Sequence, residues 1–224
     1  MGAAIGDVLG LAVGVAVSPV AIVVIILLLT TPLGRANGSL FAIGWLAGLA
    51  ILGAVILLVA NPADASSAGK PAAWVGWLKL VLGVLILAAA VRHWRRRPTA
   101  GAEPQLPTWM AGLDRLRPGP ALGLGALAAA VNPKNAALTI SAAASVAAAG
   151  LPGSQQAITL AVFVLLGSAG ILAPLAIYLA TGERAIKTLD GWKTWASDHN
   201  EAIMAVLCLV FGVKLIGDGI GILF

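Results

Sequence analysis

Long apolar runs make up most of the sequence, and short stretches with polar, proline or glycine residues separate them. A helix needs ~20 mostly apolar residues to cross the hydrocarbon core of a membrane. Six runs meet this requirement, at residues 7–30, 39–60, 72–91, 120–147, 157–180 and 202–223. The pattern therefore predicts an all-α polytopic membrane protein with six transmembrane helices.

The composition supports this fold class. Of the 224 residues, 60% are hydrophobic and 10% are charged, whereas soluble domains contain about 25% charged residues. These values exclude a soluble globular protein and a disordered one. Cys208 is the single cysteine, which excludes an intramolecular disulfide and a cysteine-based metal cluster. We expect no metal site and no cofactor.

The distribution of Lys and Arg predicts the orientation. Ten of these residues fall in loops on one side of the predicted helices, against Lys70 alone on the other side. The positive-inside rule places the rich side in the cytoplasm, so both termini of this plasma-membrane protein should lie outside. The first apolar run lacks the basic start of a signal peptide, and we expect it to be retained as a helix. The net charge of +5 is then a cytoplasmic rim, and no nucleic-acid partner is expected.

Two polar segments carry apolar residues at helical spacing and are candidates for helices at the membrane surface. One segment precedes the fourth predicted transmembrane helix and contains Trp109, Met110, Leu113 and Leu116. The other precedes the sixth and contains Ile186, Leu189, Trp192 and Trp195. Loops with anchoring aromatic residues are an alternative interpretation of both segments.

The two halves of the chain repeat the same features in the same order. The first and fourth predicted helices each contain a capping residue followed by proline, the second and fifth share a Phe and an Ala-Gly pair, and the third and sixth each contain Lys-Leu. The halves, residues 1–91 and 120–224, therefore have three helices each, and the basic segment 92–119 joins them. Because three is odd, the second half enters from the opposite face, which predicts an inverted-topology repeat like that of many secondary transporters.

The two internal prolines predict a functional site. Ser and Asn are favoured helix N-caps and proline is favoured at the first helical position, so a half-helix should begin at each proline in mid-membrane. The N-terminus of a half-helix attracts anions, and a lysine in a span needs a local reason. We predict a polar, substrate-binding cavity that is lined by Ser18, Pro19, Asn132, Pro133, Lys134 and Asn135. The alternative is that both prolines only kink packed helices.

A second set of charged residues lies near the outer ends of the predicted helices. Lys214 precedes Asp218 by four residues, so the two share a helix face and are able to pair. Lys79 and Asp7 are further candidates for a coupling site or an ion pair. Neither histidine lies in a span, and no nucleophile with a base is evident. We therefore do not expect an enzyme.

The Ser-Pro pair of the first helix, the Asn-Pro-Lys-Asn of the fourth and the six short helices resemble the LysE superfamily of small exporters. The stretch Pro-Leu-Gly-Arg-Ala-Asn-Gly at residues 32–38, followed by Phe41 and Gly44-Trp45, is similar to the actinobacterial Sap/GAP-type branch, the sulfolipid- or glycopeptidolipid-addressing proteins. Val20-Ala21 after Ser18-Pro19 departs from the Gly/Pro-richer pattern of amino-acid exporters.

The resemblance implies export of a lipid or glycolipid toward the cell envelope, and it is compatible with a homodimer. We accordingly expect a transporter of an amphipathic, anionic lipid or glycolipid. Its basic and polar centre suits an anionic head, and no mid-span carboxylate is evident for the amine of an amino acid. A LysE-type exporter of amino acids or other small solutes is one alternative, and a non-transporting accessory membrane subunit is another.

Overall fold

The computed structural model describes residues 2–60, 66–67, 70–97, 112–113 and 116–224. Most of these residues are helical. The α-helices are α1 (Gly2–Ala16), α2 (Pro19–Leu29), α3 (Gly34–Val59), α4 (Ala73–Arg95), α5 (Pro118–Ala130), α6 (Pro133–Ala148), α7 (Gly153–Gly167), α8 (Ala169–Thr181), α9 (Ile186–Asp198) and α10 (Asn200–Leu223). A 3-10 turn, Gly182–Ala185, joins α8 to α9, and the two-residue strands β1 (Ser66–Ser67) and β2 (Lys70–Pro71) pair antiparallel.

Three helices, α3, α4 and α10, are long and apolar enough to cross a membrane. Two bent arms, each a helix and its continuation beyond a sharp bend, are also long and apolar enough when their parts are taken together. They are α1 with α2, and α7 with the helices up to the end of α9. The described part of the chain thus has three candidate spans, or five if each bent arm is one span. The predicted span 120–147 is divided between α5 and α6, and α5 is a shorter apolar helix of 13 residues.

The predicted breaks at the two prolines are confirmed. Helix α2 begins at Pro19 and is bent by 56° from α1, and α6 begins at Pro133 after a non-helical Asn132. Proline has no N–H to continue the preceding helix, and its ring clashes with the turn before it.

A third break was not predicted: the apolar run 157–180 divides at Ser168, where the chain bends by 61°. The Ser168 hydroxyl donates to the Val164 carbonyl oxygen at 2.6 Å. Such hydrogen bonds to the preceding turn bend helices. Six residues later, Pro174 lies inside α8. The sequence predicted a single span for this run, without a break.

Helices α4 and α10 pack closely along their length in antiparallel directions. Gly76 lies against the Gly219 carbonyl, and Gly83 lies against the Gly212 carbonyl. A Cβ at Gly83 would stand 2.9 Å from the Gly212 carbonyl oxygen, so only glycine permits this approach. His93 and Glu201 join the same two helices at their other ends, with 2.7 Å between Nδ1 and Oε2.

Helices α3 and α5 form a second close pair. A Cβ at Gly125 would stand 2.1 Å from the Phe41 carbonyl oxygen. Phe41, Trp45 and Phe163 are buried in the hydrophobic core beside this contact. Small residues at helix contacts are typical of membrane proteins, where close backbone approach supplies the packing energy.

Large apolar side chains also cover outward faces of the molecule. Leu58 on α3 is 82% exposed, and Leu85 on α4 and Val213 on α10 are also exposed. In water such faces would be costly, whereas lipid tails solvate them without penalty. Together with the candidate spans, they identify a multi-pass membrane protein.

The predicted surface segment before the last span is helical, as α9. Leu189 is buried against the core, whereas Trp192 and Trp195 are exposed. In the other predicted segment, Trp109 and Met110 lie outside the described residues. The same holds for residues 98–111 and 114–115 of the predicted linker 92–119.

Candidate functional site at the broken helices

The break before α6 is built by local capping. The Asn132 side-chain oxygen accepts hydrogen bonds from the backbone N–H groups of Lys134, at 3.0 Å, and Asn135, at 3.5 Å. These are two of the orphan donors that every helix N-terminus leaves. Asn132 therefore fixes where α6 begins and turns the side chains of its first turn toward α1.

The break after α1 leaves carbonyl oxygens without their usual partners. The Ser18 N–H would close the last turn on the Gly14 carbonyl, but it bonds to the Ala16 carbonyl instead, at 3.1 Å. Pro19 has no N–H to offer. The end of α1 thus presents acceptors and the negative end of its helix dipole to its surroundings.

The Lys134 ammonium supplies the hydrogen-bond donors that these carbonyl oxygens lack. It donates to the Gly14 carbonyl, to the Val17 carbonyl at 2.9 Å and to the Ser18 hydroxyl oxygen at 3.1 Å. An ammonium has three N–H donors, and each has an acceptor here. The lysine is 3% exposed. A buried charge is tolerated where it is hydrogen-bonded, so the end of α1 explains why a lysine occupies this position.

The same network continues into α5. The Ser18 hydroxyl donates to the Asn135 side-chain oxygen at 3.1 Å, and the Asn135 amide donates to the Ala128 carbonyl at 3.4 Å. Ser18 and Asn135 are both buried. The hydrogen bonds therefore join the two broken helices across more than 100 residues of sequence.

The structure thus brings four of the six predicted site residues into one network, and the two prolines begin the half-helices beside it. The sequence predicted a cavity lined by these residues. In this conformation the network is closed, because the polar atoms of Lys134 bond to the protein itself. That the six predicted site residues contact a substrate stays a prediction.

The second predicted set, Asp7, Lys79, Lys214 and Asp218, lies elsewhere. One oxygen of Asp218, Oδ2, is 2.7 Å from the Lys214 ammonium and 3.5 Å from the Lys79 ammonium. The predicted Lys214–Asp218 pairing is confirmed, and Lys79 joins it from α4. Asp7, Lys79 and Asp218 line a cavity of about 320 Å³ between α1, α4, α6 and α10.

A family model described as Sap, sulfolipid-1-addressing protein, matches residues 8–221. The chain belongs to this family. The match covers nearly the whole sequence and confirms the Sap-type branch that the sequence resembles. No curated protein and no solved structure matches the chain.

A buried polar contact of Asn37 in this Sap-family chain was not predicted from the sequence. Asn37 is buried, and its amide donates to the Leu116 carbonyl at 2.9 Å and to the Thr31 hydroxyl at 3.4 Å. It joins the start of α3 to the segment before α5. The asparagine beside an apolar run was the one sequence feature that could have indicated this contact. Its partner could not be predicted, because it is a backbone carbonyl 79 residues away.

Among the residues that the structure describes, no three His, Cys, Asp or Glu side chains come together as metal ligands. The buried thiol of Cys208 therefore has no such group around it within those residues.

Proposed function

We propose that this Sap-family protein is a plasma-membrane transporter that moves an amphipathic, anionic lipid or glycolipid toward the cell envelope. The observation that carries the proposal is the Lys134 network at the facing ends of two broken helices. Discontinuous helices of this kind form substrate sites in secondary transporters. The family description refers to sulfolipid-1 addressing, which favours a lipid as the substrate.

The network suits a gate between two halves. Its hydrogen bonds run between the break after α1 on one side and the first turn of α6 on the other, and Asn135 ties that turn to α5. When the halves separate, the Lys134 ammonium loses its protein acceptors and needs an anionic group in their place. The N-terminus of α6 adds the positive end of its dipole to the same spot, while the N–H groups of its first turn are capped by Asn132. A sulfate, phosphate or carboxylate head satisfies both.

An inverted repeat of two three-helix halves, six spans in all, would supply the alternating movement. One pair of contacts favours it. Helix α3 packs on α5 through Gly48, and the corresponding Gly170 packs on the end of α1.

The polar groups at the break favour a lipid over an amino acid. Lys134, Ser18 and the two asparagines provide positive charge and amide groups, and the described part of the network contains no carboxylate to hold an amine. An exporter of amino acids or other small solutes, related to the LysE superfamily, is the second candidate, because the broken helices alone suit it equally well.

We further propose that both termini lie outside, as the ten-to-one bias of Lys and Arg indicates. A homodimer would pair within the membrane through exposed apolar faces such as those of α3 and α4. The protein acts on its substrate without chemical conversion in this account, and neither a cofactor nor a nucleic acid takes part.

Reconstitution of the purified protein in liposomes tests the proposal. A fluorescent anionic lipid placed in one leaflet should reach the other faster than in empty liposomes, and mass spectrometry should find it chemically unchanged. Labelled lysine loaded inside should stay there. Lysine efflux without lipid movement would support the amino-acid exporter. A new lipid species would indicate an enzyme, and no movement of any substrate would indicate an accessory subunit.

A further inference from the structure

The cavity between α1, α4, α6 and α10 is separate from the Lys134 network. Its volume is about 320 Å³, which is enough for a small polar head group. Its polar lining consists of Asp7, Lys79, Ser145 and Asp218, and apolar residues such as Val75 and Ile222 complete the wall.

Lys79 is the feature of this cavity that needs explanation. The residue is 7% exposed, so burial removes most of its water. Among the described residues its ammonium has one acceptor, Asp218 Oδ2, at the long distance of 3.5 Å. Lys214 already holds the same oxygen at 2.7 Å. A buried cation with three donors is therefore poorly satisfied, in contrast to Lys134, whose donors all have acceptors.

The hydrogen-bond partners at this point leave a place for an incoming anion. Two ammonium groups, of Lys79 and Lys214, share one carboxylate oxygen, Oδ2 of Asp218. Asp7 also lines the cavity and balances the formal charge, but among the described residues both ammonium groups pair with Asp218 and not with Asp7. A bound anion would supply the acceptors that the Lys79 ammonium lacks.

Glycines lie on α1 and α10 near the cavity. Helices α1 and α10 touch where Gly14 meets the Phe211 ring. Gly6, Gly10 and Gly221 are exposed, and a side chain added at any of them would meet no described atom within 4 Å. Gly221 itself lines the cavity. An apolar chain attached to a head group in the cavity therefore meets no side chain at these positions.

We propose that this cavity is an anion subsite in which Lys79, assisted by Lys214, binds the sulfate or phosphate ester of an amphipathic lipid. Charge-assisted hydrogen bonds from ammonium to such oxyanions are strong, and Asp218 holds the two lysines in place until the anion arrives. That the anion belongs to a lipid rests on the proposed function, whereas anion binding by Lys79 does not.

Lipid binding without transport tests the subsite. Native mass spectrometry of the purified full-length protein compares a sulfated galactosylceramide with the same galactosylceramide lacking sulfate. We expect the protein to bind the sulfated lipid at least about tenfold more tightly, as the gain of hydrogen bonds to a charged group implies. Lys79→Gln should abolish this preference. Lys193→Gln makes the same charge change at a surface pair and should leave the preference intact.

Asp218→Asn gives a result that a purely structural role would not produce. Removal of the competing carboxylate should strengthen binding of the sulfated lipid. If Lys79→Gln does not fold, binding to Asp218→Asn tests whether the cavity is an anion subsite. Equal binding of the two lipids to the unsubstituted protein, a preference that survives Lys79→Gln, or weaker binding to Asp218→Asn would overturn the subsite.

Inorganic sulfate, added as a competitor, separates a free anion from a lipid head. Displacement of the sulfated lipid by an equal concentration of sulfate would overturn the lipid assignment alone. We expect the lipid to remain bound at that concentration. The binding result is independent of transport. A protein that binds through Lys79 but moves no lipid retains the subsite and loses the proposed function.

Discussion

Replacement of Lys134 by methionine removes the ammonium and keeps an unbranched side chain in its place. The carbonyl oxygens of Gly14 and Val17 then lose their donor. A buried acceptor without a partner costs about 1–3 kcal/mol, or about 2–6 kcal/mol for the two. Removal of a lysine from the middle of a membrane span also lowers the cost of membrane insertion, by about 2.5–3.5 kcal/mol on insertion scales. Relative to the chain outside the membrane, the inserted and folded state therefore changes by between a gain of about 1.5 and a loss of about 3.5 kcal/mol.

The variant should therefore insert and fold, and it should lose transport because the gate no longer carries a charge. Thermal unfolding in detergent, followed by tryptophan fluorescence, measures stability, and lipid flux in liposomes measures function. Lys193→Met is the control, because Lys193 forms a partly exposed pair with Asp190 one turn away, and such surface pairs are worth about 0–1 kcal/mol. Failure of Lys134→Met to insert would refute the energetic balance, and full transport would refute the gate.

Two further predictions concern topology and packing. In a Cys208→Ala background, a cysteine at Arg96, just after α4, should resist an impermeant thiol reagent added to intact cells, and labelling there would reverse the proposed orientation. Gly125→Ala should lower the melting temperature, since its Cβ would lie 2.1 Å from a carbonyl oxygen of α3. Gly123→Ala, on the same helix but with no described neighbour within 4 Å, should be neutral or raise it slightly through helix propensity.

The positions of the two proline breaks were predictable because their cause is local. Proline removes a donor and an Asn or Ser before it caps the next helix, so Pro19 and Pro133 mark the starts of half-helices in any packing. The helix pattern and the membrane location follow from the apolar runs for the same reason. The break at Ser168 has no proline at its position, and an isolated serine in an apolar run seldom interrupts a helix.

The partners of the charged residues were not predictable in the same way. Lys134 bonds mainly to backbone carbonyls at and just after the end of α1. Every residue has a carbonyl, so the sequence does not show which of them a lysine will reach. Lys79 meets Asp218 across 139 residues, a contact that depends on the antiparallel packing of α4 and α10. The Lys214–Asp218 pair was predicted because its spacing of four lies within one helix.

The central claim is that the Lys134 network opens to pass an anionic lipid. Its most direct test is the rate at which a fluorescent sulfated lipid crosses between leaflets of liposomes that contain the protein, Lys134→Ala or Lys134→Arg. We expect transport by the unsubstituted protein, none above empty liposomes for Lys134→Ala, and part of the rate for Lys134→Arg, which keeps the charge but not the compact ammonium. Equal rates for the unsubstituted protein and a folded Lys134→Ala would contradict it.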